Sequence, residues 1–468
     1  MTTIVTQPLA GSPSEPHFDP YQLDPRDILE PPQTMGAILR KIGPGVVLAA
    51  SIVGSGELIA TTALGAKVGY TMLWLVIISC LIKAVVQAFL GRYVIARAET
   101  GLDAVNRIPG PRGKHINWVI VAWGAMLLLS LFQVAAMFIG VSQVMFQITE
   151  LPVWGWVLAF WALTLVLLLG GGYARMEKLA MVKVGLFTLI ALLAAVLLLA
   201  SPSFHVRDLA QGLTFHIPRE GLGIAIAVFG ITGVGATELY IYTYWCIEKG
   251  YARYTGPYEN GEAWLRRARG WAHVMNVDVV FSMVIYTVAT IAFYLLGAGI
   301  LHAIGQVPNG TEMIPVLSNI YTQTLGGWAQ YLFYIGAIVI LWGTIVAGTA
   351  GHSRMFADLV RILGGFAHDD LRARNRYRDI AVVLLTAIPV GMFWVFGQAP
   401  VQMVTWGGMA QAAMLPIISG ATLYLYYKYM RNTLHAAPWM VALLWAAFIF
   451  IVGFVIPSLY TELMKLFV

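Results

Sequence analysis

Two carboxylates stand in this chain where hydrocarbon is expected. Glu57 follows Ile52-Val53-Gly54-Ser55-Gly56, and Glu238 follows Ile231-Thr232-Gly233-Val234-Gly235 after the step Ala236-Thr237. Both strings read I-x-G-x-G and then Glu-Leu, with Thr61 and Thr243 about a turn further on. Each interrupts an apolar run otherwise long enough to cross a bilayer. Gly costs about 1 kcal/mol relative to Ala in a helix interior, so two close together favour an unwound turn. An ionisable side chain at bilayer depth is costly and marks a functional site. Matched Gly-broken spans in two halves of a chain point to the substrate site of a transporter. The expected substrate-binding set is Gly54, Ser55, Gly56, Glu57, Gly233, Gly235, Thr237 and Glu238. Glu57 and Glu238 are the expected ligands if the substrate is a metal ion.

Other groups have chemistry to offer at depth. Lys83 falls mid-span, too far in to snorkel to water, and reads as a structural ion-pair partner or as a built-in cation. Asp278, near Asn276, falls toward the cytoplasmic end of a later span and is a coupling candidate. His352 reads as a helix-end residue. Thr61, Tyr240, Tyr242, Thr243 and Gln411 could line a polar cavity or pack between helices. No P-loop, zinc motif or catalytic triad occurs, so an enzyme or nucleotide-driven pump is not expected, and no cofactor is.

These residues need a scaffold, and the composition names it. With 59% of residues hydrophobic and only 11% charged, the chain is too apolar for a soluble domain, which runs about 25% charged. Windows of about 20 apolar residues recur at 42–67, 70–96, 118–147, 152–170, 179–200, 222–247, 271–300, 328–350, 380–397, 401–427 and 438–461. They are too long and continuous for barrel strands. The expected fold is an all-α polytopic membrane protein of eleven transmembrane helices. Residues 1–34, with seven prolines, read as a disordered cytoplasmic tail. Gly261 to Trp271 reads as a short interfacial helix. Cys80 and Cys246 fall in apolar spans and read as small core residues.

Basic residues set the orientation. With the N-terminus inside, the cytoplasmic segments and their flanks hold most of them, Lys183 included. The outside segments hold only Lys67, Arg207, Arg219 and Lys465. The N-terminus is thus expected in the cytoplasm and the C-terminus outside. The net charge of +6 belongs to these loops and does not imply nucleic acid. The two broken spans are the first and sixth, so they run in opposite directions. That implies an inverted five-plus-five repeat, 35–215 and 216–436, with an eleventh helix in 437–468. This is the LeuT-type plan, unwound at mid-membrane in helices 1 and 6.

Gly43-Pro44-Gly45, the stretch Gly65 to Trp74, Gln87, Gly91-Arg92, Thr100-Gly101, Leu239-Tyr240-Ile241 and Leu415-Pro416 lie along the spans, and on these residues the chain resembles the Nramp family of proton-coupled divalent-metal transporters. Gly43-Pro44-Gly45 opens span 1 as the family's G-P-G does. Gly65-Ala66-Lys67-Val68-Gly69-Tyr70-Thr71-Met72-Leu73-Trp74 is similar to its G-x-x-x-G-Y-x-L-L-W passage. Gln87, Gly91-Arg92 and Thr100-Gly101 fit the region after it. Leu239-Tyr240-Ile241 resembles its N-L-Y-L-H, and Leu415-Pro416 its Q-L-P-F. The signature strings differ. The family's D-P-G-N, whose Asp and Asn bind metal, reads Gly54-Ser55-Gly56-Glu57. Its M-P-H-N, whose Met binds metal, reads about Gly235-Ala236-Thr237-Glu238. The next histidine of its span 6 is Tyr242, and its span 3 acid falls near Met137. The resemblance implies the fold and metal transport, with Lys83, Asp278 and Tyr242 as the candidates for an altered coupling route. Gly54-Ser55-Gly56 also resembles the span 1 string of amino acid–polyamine–organocation transporters, whose free amides hold a carboxylate.

The expected function is therefore secondary transport of a hard divalent cation such as Mg²⁺ or Mn²⁺, because loss of the Met thioether removes the soft ligand. Weak or lost proton coupling goes with it. A small organic solute, an amino acid or amine, is the alternative, and a non-transporting membrane receptor a third. The expected partners are a small ion or molecule and the lipid bilayer, for a monomer in a bacterial inner (plasma) membrane.

Overall fold

The computed structural model describes residues 19–171, 173–200 and 206–465. They are almost entirely helical, and the described residues form no strand beyond one isolated bridge between Arg112 and Asn117. The main helices are α1 (Pro44–Ile52), α2 (Thr62–Val68), α3 (Leu73–Arg97), α4 (Trp118–Thr149), α5 (Val153–Leu168) and α6 (Tyr173–Ala200). Then come α7 (Leu222–Ile231), α8 (Ala236–Lys249), α9 (Glu262–Leu296), α10 (Ala329–Ile362), α11 (Leu371–Phe396), α12 (Pro400–Leu425) and α13 (Pro438–Met464). Among the described residues, eight helices are long and apolar enough to cross a membrane.

Local signals start these helices. Pro44, Pro400 and Pro438 stand in the first turn of α1, α12 and α13, where a missing N–H costs nothing. Asn117 caps α4 by accepting from Ile120 N at 3.2 Å, and Asp370 caps α11 by accepting from Ala373 N at 2.9 Å.

The broken pairs α1–α2 and α7–α8 sit in the middle. α1 packs against α6, α8, α9 and α10, and α12 lies across α4 and α7. Backbones touch where glycine permits: a side chain on Gly65 would strike the backbone of Tyr294 and Ala298, and one on Gly297 that of Thr62. The periphery is apolar and open. Ile388, Val395, Trp439 and Ile449 are exposed on α11 and α13, the faces available to lipid.

Two expectations are corrected. Gly261 to Trp271 is not a separate interfacial helix; from Glu262 on it is the opening of α9, which runs unbroken for 35 residues. The second concerns the segment 1–34, expected as a disordered tail. Residues 1–18 lie outside the described residues, but 19–34 are docked. The Tyr21 hydroxyl donates to Glu248 Oε1 at 2.8 Å, Leu29 N donates to Tyr254 O at 3.0 Å, and Trp271 Nε1 donates to Leu29 O at 3.0 Å. The prolines leave no α-helix in 19–34, only the 3-10 turn Pro25–Asp27, but they leave the aromatic and carbonyl groups free to bond with the body.

Candidate functional site

The two glycine strings break their helices differently. The chain leaves α7 at Ile231, runs through Thr232–Gly235 without helix, and re-enters at Ala236. Gly233 has φ +62°, and a side chain on it would meet the backbone of Cys80, so both conformation and space call for glycine there. The first break is tighter. Val53 and Gly54 form a turn, and Gly56–Thr61 is a wide π-type turn leading into α2. Such turns widen the helix and expose carbonyls.

Glu57 is fully buried and faces its own break. Its Oε2 accepts from Gly54 N at 3.0 Å, and its Oε1 accepts from Thr290 Oγ1 of α9 at 3.2 Å. Glu238 lies in the first turn of α8, where the helix dipole favours a negative charge. Its Oε2 accepts from Thr237 Oγ1 at 2.7 Å. Glu238 and Thr237 line a narrow cavity of about 20 Å³, room for one water-sized body. The other polar walls are Ser51 of α1, Ser130 and Gln133 of α4, Thr344, Thr349 and His352 of α10, and Gln411 of α12, and Met137 also lines it. Glu57 is not part of this lining.

An amide chain joins the two breaks. Gln411 Nε2 donates to Gln133 Oε1 at 2.8 Å, and Gln133 Nε2 donates to Ser55 Oγ at 2.9 Å. Gln411 Oε1 in turn accepts from Thr237 N at 3.4 Å. Gln133 escapes the sequence reading, although an amide inside an apolar span was the available signal. His352 is not a helix-end residue: it lies well inside α10, on the cavity wall.

Lys83 does not pair with a carboxylate. Its ammonium donates to Phe229 O at 2.7 Å and to Thr232 O, the carbonyls left over where α7 ends. Asp278 does the converse for α1. Its Oδ1 accepts from Gly43 N at 2.9 Å and its Oδ2 from Gly45 N at 2.6 Å, capping the helix N-terminus. The Tyr242 hydroxyl donates to the same Oδ2 at 3.0 Å. Asp278 and Tyr242, both coupling candidates, thus come together, away from the cavity lining. Lys183 is the largest surprise. It is no cytoplasmic flank residue but is buried at 7% exposure against the break of α1.

Broken helices meeting at a buried polar cavity, inside a shell of long apolar helices, define an integral membrane transporter. The profile of the family described as Natural resistance-associated macrophage protein-like matches residues 45–461, and the chain belongs to that family. It is 22% identical over 395 residues to an uncharacterised protein of Pasteurella multocida, covering 83% of this chain and 85% of that one. It is 24% identical over 328 residues to a divalent metal cation transporter of Deinococcus radiodurans, covering 68% and 69%. Among solved structures it is similar to the Eremococcus coleocola manganese transporter, with TM-score 0.67 and 16% identity over 95% of this chain and 92% of that one. The nucleobase-cation-symport-1 family transporter Mhp1 follows at TM-score 0.56 and 14% identity, over 90% and 93%. These neighbours share the LeuT-type fold.

Proposed function

We propose that this chain carries a hard divalent cation, Mg²⁺ or Mn²⁺, inward across the membrane. The observation that carries this reading is the Glu238 carboxylate on a cavity with room for one ion, whose polar walls are mostly hydroxyl and amide groups, with His352 and Met137 also in the lining. Oxygen donors suit a hard, partly hydrated ion. The chain's similarity to the Deinococcus divalent metal cation transporter and the Eremococcus manganese transporter supports the same class. In this reading Glu238 meets the ion, and Glu57 supplies the second negative charge from behind the first break. Gly54, Ser55, Gly56, Gly233, Gly235 and Thr237 shape the site, and proton coupling is weak or lost. The protein acts as a monomer in a bacterial inner membrane, N-terminus in and C-terminus out.

The test is uptake of Mn²⁺ or Mg²⁺ into proteoliposomes, with Glu238→Gln as the variant. Saturable uptake in wild type and its loss in Glu238→Gln are expected; unchanged uptake in the variant sinks the site. One observation favours a second reading, a small organic solute whose ammonium meets Glu238: lysine ammonium groups already sit on carbonyls at both breaks. Calorimetry against divalent metals and an amino-acid panel separates the two.

A further inference from the structure

A polar cavity and an apolar groove meet at one end of the molecule, away from the broken helices. The cavity, of about 610 Å³, lies where the loop between α3 and α4 folds against the last turn of α10. Arg107, Arg112, Arg361 and His368 line it, together with Glu99 and Asp103. Both carboxylates are answered. Arg107 Nε and Nη2 fork onto Glu99 at 2.8 and 2.7 Å, and Arg361 Nη2 donates to Asp103 Oδ1 at 2.6 Å. Among the described residues Arg112 meets only Asn106, at its backbone O and its Oδ1, so one guanidinium stands on the cavity wall without a counter-charge. The groove, of about 570 Å³, is walled by Trp118 of α4, Ile417 and Tyr424 of α12, and Phe448, Val452 and Ile456 of α13. Ile108 and Pro109 line both spaces. We propose that the two spaces are one site for an anionic phospholipid, with the phosphate headgroup in the cavity against Arg112 and an acyl chain in the groove.

The chemistry divides as such a lipid does. A guanidinium presents its N–H donors in a fork that matches phosphate. The groove lining includes no charged side chain, and an acyl chain covers such walls where water gains nothing. From Pro416 to Tyr424 the groove follows about 12 Å of α12, which a chain fills and a small anion leaves bare. Gly420 keeps it open, since a side chain there would come within 3.2 Å of the Phe448 ring. Its edge is exposed, with Ile456 at 55% and Trp118 at 36%. Trp118 and Tyr424 are the ring types that gather at the membrane interface, and the Trp118 indole N–H donates to Pro109 O at 3.1 Å, fixing the wall where the two spaces meet. The site shares its end of the molecule with the docked N-terminal segment. Arg361 and Arg374 both bond Asp358 Oδ1, at 2.7 and 3.1 Å, and Arg374 covers Tyr21. On the proposed topology that end is cytoplasmic, where basic pockets between helices take anionic headgroups.

The experiment is the melting temperature of the full-length protein in a neutral detergent, titrated with dioleoyl phosphatidylglycerol or dioleoyl phosphatidylcholine. A ligand of the folded state raises it saturably. Wild type should respond to phosphatidylglycerol and much less to phosphatidylcholine. Glycerol phosphate, the headgroup without its chains, should give no rise, which tests the groove without any substitution. Arg112→Gln should raise the half-saturating phosphatidylglycerol concentration about fivefold. Arg266→Gln removes an exposed guanidinium that pairs with Glu30 instead, and should leave that concentration unchanged. Val452→Trp fills the groove and should abolish the response, and Ile417→Trp is the second filling variant. The proposal is overturned if phosphatidylcholine acts as strongly as phosphatidylglycerol, or if glycerol phosphate gives the same rise, which would make the cavity a site for a soluble anion. It is also overturned if Arg112→Gln keeps the wild-type response, if Arg266→Gln weakens it as much, or if a folded groove-filling variant responds as wild type does. None of these readouts involves the transported substrate, so they stand apart from the outcome of the uptake assay.

Discussion

Arg354 Nε lies 2.7 Å from Glu248 Oε1, and the two side chains are 4% and 9% exposed. The pair ties α10 to the last turn of α8, with the guanidinium stacked 4.5 Å from the centre of the Trp245 ring. Removing one partner of a buried ion pair strands the other charge, at a cost of about 3–5 kcal/mol. Glu248→Gln and Arg354→Met should therefore each lower the detergent melting temperature substantially. The double variant should fall by less than the sum, with a coupling of about 0.5–3 kcal/mol. Additive losses would show that the contact contributes little.

The same Glu248 oxygen takes the Tyr21 hydroxyl, and Arg374 covers the Tyr21 ring at 4.0 Å. Two separable interactions hold the N-terminal segment at this point. Tyr21→Phe removes only the hydrogen bond, about 1 kcal/mol, whereas Tyr21→Ala also removes the cation–π contact and the buried ring. The expected order of melting temperatures is wild type, then Tyr21→Phe, then Tyr21→Ala. Truncation through residue 33 should raise amide exchange around Tyr254, whose carbonyl accepts from Leu29. Exchange unchanged by truncation would mean the segment does not hold the C-terminal end of α8.

The breaks were legible because part of their cause is local: closely spaced glycines lower the cost of unwinding an apolar run, although Gly407-Gly408 stay helical inside α12. The helical membrane class was legible for a similar reason, since composition and run length act residue by residue. What the sequence hides is pairing at long range. Asp278 caps a helix whose first residue is 234 positions earlier. Nothing about Tyr21 announces Glu248. Lys183 hides because a lysine in the first half of a span reads as a flank; only the packing of α6 on α1, and the missing side chain of Gly343, turn it inward. The tail was misread for the same reason, because proline and charge report the absence of helix and not the absence of docking.

The two glutamates should separate by readout. Glu57 uses both carboxylate oxygens as acceptors, from Gly54 N and Thr290 Oγ1. An amide in its place offers one acceptor and sets an N–H₂ against a donor. Glu57→Gln should lower stability by about 1–3 kcal/mol along with any effect on uptake. Glu238 lines the cavity and its side chain accepts from the Thr237 hydroxyl, so Glu238→Gln should leave the melting temperature nearly unchanged while abolishing metal-dependent uptake. A stability loss in Glu238→Gln as large as in Glu57→Gln would assign both residues to structure.

Coupling is the last test. The resemblance to the family implies that Gly54 stands where its span 1 Asp does and that its span 3 acid falls near Met137. Lys83 is held on the carbonyls of Phe229 and Thr232, and Asp278 on the amides of Gly43 and Gly45. Both are engaged in holding helix ends. Glu238 is the carboxylate left on the cavity, with His352 as the other titratable side chain in its lining. A cation moving alone should therefore carry charge across the membrane without a proton. In liposomes loaded with a pH dye, an inward Mn²⁺ gradient should produce uptake with no internal acidification, and a potential negative inside should accelerate it. Acidification that vanishes in Glu238→Gln together with uptake would show instead that the proton travels through that carboxylate. Acidification insensitive to Glu57→Gln and Glu238→Gln alike would place both ion and proton on a route that the broken helices do not form.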